Sequence, residues 1–171
     1  IKKTSELFGI INLVFFSPED LNIIKNGPSE RRRFLDFELC QLDKVYLYNL
    51  SNYNKVVNQR NNLLKQISFN SKLLDTLSIW DEQLIDYGSK MIDRREKFIN
   101  QLNEVIYGIH NKLSGGKEKL IIKYEPNVSI NDFKNKLKNV KERELELKVT
   151  TVGPHRDDMI FLDGDIDIRK F

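Results

Sequence analysis

A long stretch without glycine or proline is the strongest constraint on the fold of this chain. It runs from Ser29 to Ser68, and apolar residues recur through it at alternating spacings of three and four. Such spacing places one apolar stripe along a helix, close to a heptad pattern. The stretch therefore predicts one long helix or two nearly continuous ones. The stripe consists of Leu35, Leu39, Leu42, Tyr46, Leu50, Tyr53, Val57, Arg60, Leu64 and Ile67.

A second stripe with helical spacing follows and ends at the glycine pair Gly115-Gly116. Two such stripes with a polar connection predict an antiparallel helical hairpin. About forty residues at about 1.5 Å each span about 60 Å, so the hairpin is expected to project as an arm. The second stripe consists of Leu77, Trp80, Leu84, Tyr87, Met91, Arg95, Phe98, Leu102, Val105, Ile109 and Leu113.

Shorter elements flank the hairpin. Residues 10–16 are β-branched and aromatic and predict a buried strand, and Ser17-Pro18-Glu19-Asp20 predicts a helix start. Beyond the hairpin we expect a strand at 120–124, an amphipathic lysine-rich helix at 130–147, and a β-hairpin around the Asp163-Gly164 turn. The predicted fold class is α+β and mainly α.

Composition excludes several classes of protein. The chain has 171 residues, 40% hydrophobic and 31% charged, which suits one globular domain. No run approaches the roughly 20 apolar residues of a membrane-spanning helix. The single cysteine, Cys40, has no partner for a disulfide within the chain, so a reducing, cytoplasmic setting is expected. The start at Ile1, without an apolar leader, suggests a piece cut from inside a longer chain.

The densest basic cluster is Arg31-Arg32-Arg33 in a chain of net charge +3. This mild charge permits nucleic-acid binding without requiring it. Consecutive helical residues fan out by about 100° each, so the three side chains do not share one face. Two interpretations remain open: phosphate binding, or a solvated face with ion-pair partners Glu30 and Asp36.

Residues 153–158 form an unusual polar segment, with Gly-Pro followed by His, Arg and two Asp. The crowding suits either binding of phosphate or a metal, or a polar turn in which an aspartate caps the backbone. Two interpretations also remain open for Glu19 and Asp20: a binding role, or the acidic residues that a helix start favours in any case. No phosphate-binding loop, nucleophile motif or metal-ligand spacing occurs, so no catalytic residue and no metal site is predicted.

Several sequence blocks resemble one known family, in matching order and spacing over nearly the whole chain. They are residues 13–21, residues 25–36, residues 53–61 and residues 153–158. The chain is similar here to the RecF family of bacterial DNA replication and repair proteins. It departs from the family at Asn26, where a small residue is expected before Gly-Pro. The resemblance implies a phosphate-binding loop upstream of Ile1 and a signature motif after Phe171.

The resemblance implies a fold in which a long helical hairpin is inserted between strands of an ATPase head related to ABC and SMC proteins. Residues 1–27 would be a strand and Q-loop-like segment of the head, 28–113 the helical insertion or arm, and 114–171 the segment returning to the signature motif. The full-length family implies ATP and Mg²⁺ as cofactors and a weak DNA-dependent ATPase activity. This part alone is expected to bind neither cofactor and to be inactive.

The resemblance also implies roles for three groups of residues. The first would lie near the nucleotide, the second would contact DNA, and the third would lie at the dimer interface that encloses ATP. The groups are Ser17, Glu19 and Asp20; Lys25, Arg31, Arg32 and Arg33; and His155, Arg156, Asp157 and Asp158.

The implied function is that of an ATP-dependent DNA-binding homodimer that repairs gaps, loads the RecA recombinase, and serves the SOS response and replication-fork maintenance. Double-stranded and gapped DNA and RecR- and RecO-like proteins would be its partners, with no membrane. The alternative is a structural helical module that docks proteins without touching DNA. Trp80, Tyr53 and Tyr87 would then be either docking anchors or packing within the helical seam.

Overall fold

A computed structural model describes residues 17–170, so the strand predicted at 10–16 lies outside the described residues. The described part is mostly helical with a small sheet, which confirms the α+β, mainly α prediction. In chain order, the helices and strands are a 3-10 turn Pro18–Leu21, α1 (Asn22–Lys25), α2 (Pro28–Leu42), α3 (Lys44–Ile67), a 3-10 turn Ser71–Thr76, α4 (Leu77–Ser114), β1 (Leu120–Glu125), α5 (Phe133–Leu147), a 3-10 turn Pro154–Arg156, β2 (Asp158–Asp163), β3 (Ile166–Asp167) and a 3-10 turn Ile168–Lys170.

The stretch without glycine or proline forms two nearly continuous helices, α2 and α3. Asp43 interrupts them with an extended backbone, φ −143° and ψ 105°. This break takes Leu42 out of the predicted stripe, because its side chain at the helix end is 58% exposed. The second stripe also fails at its end, where Val105, Ile109 and Leu113 are exposed.

The chain divides into two compact units. Of the described residues, unit 1 comprises 17–44, 94–125 and 157–170, and unit 2 comprises 45–93 and 126–156. The predicted projection of the hairpin as an arm and the predicted three-segment division stay predictions. Among the described residues, no helix combines the length and the apolar character needed to cross a membrane.

Unit 1 is built on an antiparallel sheet of order β1-β2-β3. β1 pairs with β2 from Leu120 opposite Asp163 to Glu125 opposite Asp158. The Asn103 side chain on α4 both donates to and accepts from the backbone of Ile122, at 2.7 and 2.8 Å, and so fixes the helix against β1. The core of the unit consists of Leu35, Ile99, Ile122, Met159 and Phe161.

Unit 2 contains α3, α5 and the first part of α4. Its apolar cluster comprises Leu63, Leu64, Ile67 and Leu77, with Trp80 and Leu145 packed against it. Elsewhere in unit 2, the close packing of α4 against Phe133 and Tyr53 depends on Gly88. A Cβ atom there would lie 2.7 Å from the Phe133 ring and 3.1 Å from the Tyr53 ring.

Candidate functional site

The polar segment at residues 153–158 passes from one unit to the other. Gly153–Arg156 belong to unit 2, and Asp157 and Asp158 belong to unit 1. Each half is held by buried side chains of its own unit. The segment is therefore ordered structure on both sides of the boundary.

In unit 2, the loop that leads into the segment is anchored at Thr150. The backbone N–H and the hydroxyl of Thr150 both donate to Asn61 Oδ1 at 2.7 Å. The hydroxyl also accepts from Arg60 at 2.9 Å. The next residue, Thr151, donates both its N–H and its hydroxyl to the Glu144 carboxylate. These bonds give the N–H and hydroxyl groups of the loop partners within unit 2 and fix the path of its backbone.

Arg60 is the centre of this anchor. It is fully buried on α3 and forms ion pairs of 2.7 Å with Asp81 on α4 and with Glu144 on α5. Burying a guanidinium is costly unless carboxylates and hydrogen bonds compensate it. Two carboxylates and the Thr150 hydroxyl provide that compensation, so Arg60 joins the three helices to the loop.

His155 is fixed by two hydrogen bonds within unit 2. Its Nδ1 lies 2.7 Å from the Tyr53 hydroxyl and its Nε2 lies 3.0 Å from the Thr150 carbonyl. A carbonyl only accepts, so Nε2 carries a proton and donates to Thr150. Gly153 permits this approach because its φ is +131°, and a Cβ atom would lie 2.2 Å from the Tyr53 hydroxyl.

Arg156 differs from its neighbours because its side chain is exposed. Its backbone N–H donates to the Gly153 carbonyl at 2.9 Å and closes the short turn. Within residues 17–170, the structure gives its guanidinium no hydrogen bond or ion pair. A hydrogen-bonded, largely buried loop thus presents one exposed arginine, which is available to an anionic group outside the described residues.

In unit 1, Asp157 is buried at 1% exposure and accepts from two side chains. Arg95 donates to its carboxylate at 3.0 Å, and the Tyr124 hydroxyl donates to the same oxygen. Arg95 also pairs with Asp36 at 2.7 Å. Burial raises the pKa of Tyr124, so its hydroxyl stays a hydrogen-bond donor. The cluster joins α2, α4 and β1.

Asp158 is paired with two arginines of unit 1. Arg31 donates to both carboxylate oxygens, at 2.6 and 3.1 Å, and Arg169 donates at 2.9 Å. Burial acts to raise the pKa of Asp158. The hydrogen bonds from Arg31 and the Met159 amide, with the charges of both arginines, outweigh it and hold the pKa below its usual value.

The predicted DNA-contacting cluster is therefore divided by the structure. Arg31 is 4% exposed and also donates to the carbonyl of Ile23, so it serves the interior of unit 1. Arg32 is half-buried and donates to the Asp157 carbonyl at 2.8 Å. Lys25 and Arg33 are exposed. The acidic contact that Arg33 makes, with Glu30 at 3.9 Å, is a loose one.

The residues predicted near the nucleotide form a local turn. The Ser17 hydroxyl donates to Glu19 at 2.6 Å, and the Asp20 carboxylate accepts from the Ser17 N–H at 2.7 Å. The Ser17 hydroxyl lowers the pKa of Glu19. Over residues 17–170, no group of three or more His, Cys, Asp and Glu side chains is placed to hold a metal ion. The nucleotide role of these residues stays a prediction.

Sequence reasoning placed Arg60 and Arg95 in the apolar stripes without assigning them to the site. An arginine at a stripe position is a usable signal, because a buried cation requires acidic partners. Those partners were not identifiable in advance. Asp81 and Glu144 lie far from Arg60 in the sequence, and no spacing rule connects them.

Comparison with known proteins gives consistent matches over the whole chain. Curated proteins described as DNA replication and repair protein RecF are 65% identical in Lachnoclostridium phytofermentans and 61% identical in Agathobacter rectalis. The chain spans about half the length of these relatives, 48% and 47%. A solved structure described as the recombination mediator protein RecF-ATP in the RecFOR pathway matches with a TM-score of 0.92 at 36% identity, covering all of this chain and 48% of that one. No family model matches.

Proposed function

The chain belongs to the RecF family over its whole length, and we propose that it forms the central part of an ATP-dependent DNA-binding protein that repairs gaps by recombination. The observation that carries this proposal is the similarity of all 171 residues to curated repair proteins and to a solved structure with ATP. The full-length protein would bind ATP and Mg²⁺ through residues outside this chain. Its partners would be double-stranded and gapped DNA and proteins resembling RecR and RecO, with RecA loading as the outcome in the cytoplasm.

The DNA-contacting role belongs to Lys25 and Arg33 within the predicted cluster. Both are exposed in unit 1, whereas Arg31 is committed to Asp158 and Arg32 to a backbone carbonyl. Arg33 has one acidic neighbour at 3.9 Å, a contact that is weak at an exposed site. Phosphates attract such cations through a salt-dependent term that does not depend on base sequence.

Charge reversal in the full-length protein tests this role. Lys25→Glu with Arg33→Glu should weaken duplex binding about tenfold or more and reduce the salt slope of the affinity by about 2, one for each lost phosphate contact. Lys44→Glu with Lys55→Glu, at exposed positions of α3, is the control for the same change in overall charge. Fluorescence anisotropy at several salt concentrations measures both quantities. An unchanged affinity and slope, or an equal loss in the control, would overturn the assignment.

Arg156 is the member of the polar segment that suits the ATP-enclosing dimer interface. Its side chain is exposed and has no hydrogen bond or ion pair within residues 17–170, which fits a contact with phosphate or carboxylate, whereas Asp157 and Asp158 are committed to arginines of unit 1. His155 would act as a positioning residue, because both ring nitrogens are used within unit 2. In this proposal Arg156 makes the contact, and His155, Asp157 and Asp158 support it.

The alternative of a protein-docking module without DNA contact receives less support from the aromatic residues. Tyr53 is fully buried and Trp80 packs against the apolar cluster of unit 2. Tyr87 is half-buried, and its ring centroid lies 6.4 Å from that of the exposed Tyr48. Loss of duplex binding in the charge-reversal variant would decide against this alternative.

A further inference from the structure

The turn between α3 and α4 in unit 2 carries a strongly exposed aromatic side chain. Phe69 is 89% exposed, although the backbone around it is well bonded. Its N–H donates to the Gln66 carbonyl at 3.0 Å, the Ser68 hydroxyl donates to the Lys65 carbonyl at 2.7 Å, and Asn70 accepts from the Lys72 N–H. An ordered turn therefore holds the ring in solvent.

A second observation concerns Lys148, which follows α5. Its backbone is left-handed, φ 57° and ψ 31°, and it is the one non-glycine residue with positive φ in the described part of the chain. Side chains with a Cβ atom disfavour this conformation, and glycine or asparagine usually occupies it after a helix. In this conformation the Lys148 ammonium lies 5.8 Å from the centroid of the Phe69 ring. Strained backbone of this kind is a reason to look for a function.

The sequence of the turn that carries the ring is basic. Residues 65–72 contain Lys65 and Lys72 and no acidic residue. Neither lysine, nor Lys148, forms an ion pair within residues 17–170, whereas Lys90 elsewhere in unit 2 pairs with Asp86. We call Phe69, Lys148, Lys65 and Lys72 the aromatic tip.

We infer that the aromatic tip is a binding site for unpaired nucleobases, in which the Phe69 ring stacks on a base and the lysines contact the adjoining phosphates. Aromatic rings in a cationic setting are the usual means of binding single-stranded nucleic acid, because every base has a flat π face and every linkage a negative charge. A protein partner would instead favour a continuous apolar patch. This inference rests on the proposed function and adds that the site would recognise the single-stranded part of gapped DNA.

The experiment compares Phe69→Ala, Phe69→Trp and unchanged full-length protein. Anisotropy is measured with gapped duplex, uninterrupted duplex and oligo-dT. Phe69→Ala should weaken binding of gapped DNA and oligo-dT about tenfold, since stacking contributes a factor of roughly 5 to 150 per base, and change duplex binding by less than about twofold. Phe69→Trp should restore the affinity. Ile79→Ala, at a 57% exposed apolar position of α4, is the matched control and should change nothing.

The outcomes separate this inference from the proposed function. Duplex binding with no effect of Phe69→Ala on gapped DNA would overturn the inference alone, and so would an equal loss on duplex and gapped DNA. Loss of a protein partner in Phe69→Ala with gapped-DNA affinity unchanged would identify a docking site for protein instead. Absence of all DNA binding by the unchanged full-length protein would overturn both.

Discussion

Asp158 shows how a charged residue beside a strand becomes a structural residue. Its side chain is 20% exposed, yet both of its oxygens accept from Arg31, whose side chain is 5% exposed, and it also binds Arg169. The aspartate therefore compensates a buried cation that would otherwise be costly. At the residue scale, the second aspartate of the polar segment stabilises unit 1 from within.

The lowered pKa of Asp158 predicts a dependence of stability on pH. Because the carboxyl binds its proton less readily in the folded state, the unfolded state binds more protons near these pKa values, and stability rises with pH there. The stabilisation is complete above the unfolded pKa of about 3.9 and is lost as pH falls through the lower folded pKa. Asp158→Asn should cost about 2 kcal/mol at neutral pH, less than the loss of a partner in a fully buried pair.

Urea unfolding of the full-length protein at a series of pH values from neutral to below pH 4 measures this difference. The difference between unchanged protein and Asp158→Asn should shrink as pH falls. Glu30→Gln, which removes the exposed partner of Arg33, should cost less than about 0.5 kcal/mol at every pH. A difference that stays constant with pH would contradict the ionised pairing of Asp158.

Two glycines of α4 allow a comparison within one element. Gly88 lies where a Cβ atom would meet the Phe133 ring at 2.7 Å, whereas Gly108 has no heavy atom within 4 Å of such a Cβ. Gly88→Ala should destabilise by about 1–3 kcal/mol through overpacking, despite the gain in helix propensity. Gly108→Ala should stabilise by about 0.5–1 kcal/mol. Urea unfolding distinguishes them, and equal effects at both positions would contradict the close packing at Gly88.

The contact of three helices through Arg60 predicts non-additive effects. Arg60→Met leaves the buried Glu144 carboxylate without its cation and should cost about 3–5 kcal/mol. Adding Glu144→Gln removes that charge, so the double variant should be more stable than Arg60→Met by about 1–2 kcal/mol. Lys90→Met, in the exposed pair with Asp86, should change stability by less than about 0.5 kcal/mol. Additive effects of the two buried substitutions would contradict this account.

The helical elements were largely predictable because their signals are local. Spacing identified α3 and the first half of α4, and the Asp163-Gly164 turn identified the hairpin of β2 and β3. The prediction was wrong at Leu42, where the helix ends, and at Val105, Ile109 and Leu113, which are exposed. Periodicity reports which residues share a helix face, but burial of that face depends on neighbours distant in the sequence.

The site was predictable as a segment but not as a set of contacts. The crowding of His, Arg and Asp at 153–158 singled out this segment, and its role in binding an anion stays a prediction. Which of these residues are structural and which are exposed was not predictable. Arg31 pairs with Asp158 across 127 residues, and His155 hydrogen-bonds Tyr53 across 102. Such pairings follow from the tertiary fold, which brings remote charges together at no fixed spacing.

At the scale of the whole molecule, the polar segment belongs to two units, with the boundary after Arg156. Each side has its own buried anchor, Arg60 with Glu144 in unit 2 and Arg95 with Asp157 in unit 1. Within unit 2, the bonds of His155 to Tyr53 and Thr150 hold the turn that carries Arg156, which limits the entropy that Arg156 would lose on binding an anion. The contact of Arg156 with a nucleotide or a second copy of the protein stays a proposal.

If the proposed function holds, ATP-dependent dimerisation of the full-length protein should depend on Arg156. Arg156→Ala should weaken ATP-dependent dimerisation about tenfold, because a charge-assisted hydrogen bond contributes about 1.5–3 kcal/mol. Without nucleotide the variant should sediment like unchanged protein. Arg156→Lys should restore part of the affinity, since it keeps the charge and loses the planar fork. Arg143→Ala, at an exposed arginine of α5, is the control.

Sedimentation velocity with and without Mg-ATP measures the dimer fraction in each variant. His155→Ala should act in the same direction as Arg156→Ala, because it removes the bonds to Tyr53 and Thr150 that fix the turn carrying Arg156. Combining the two substitutions should add little to Arg156→Ala alone, since a positioning residue has no effect once the residue that it positions is absent. Full ATP-dependent dimerisation in the double variant would show that the polar segment lies away from the dimer interface.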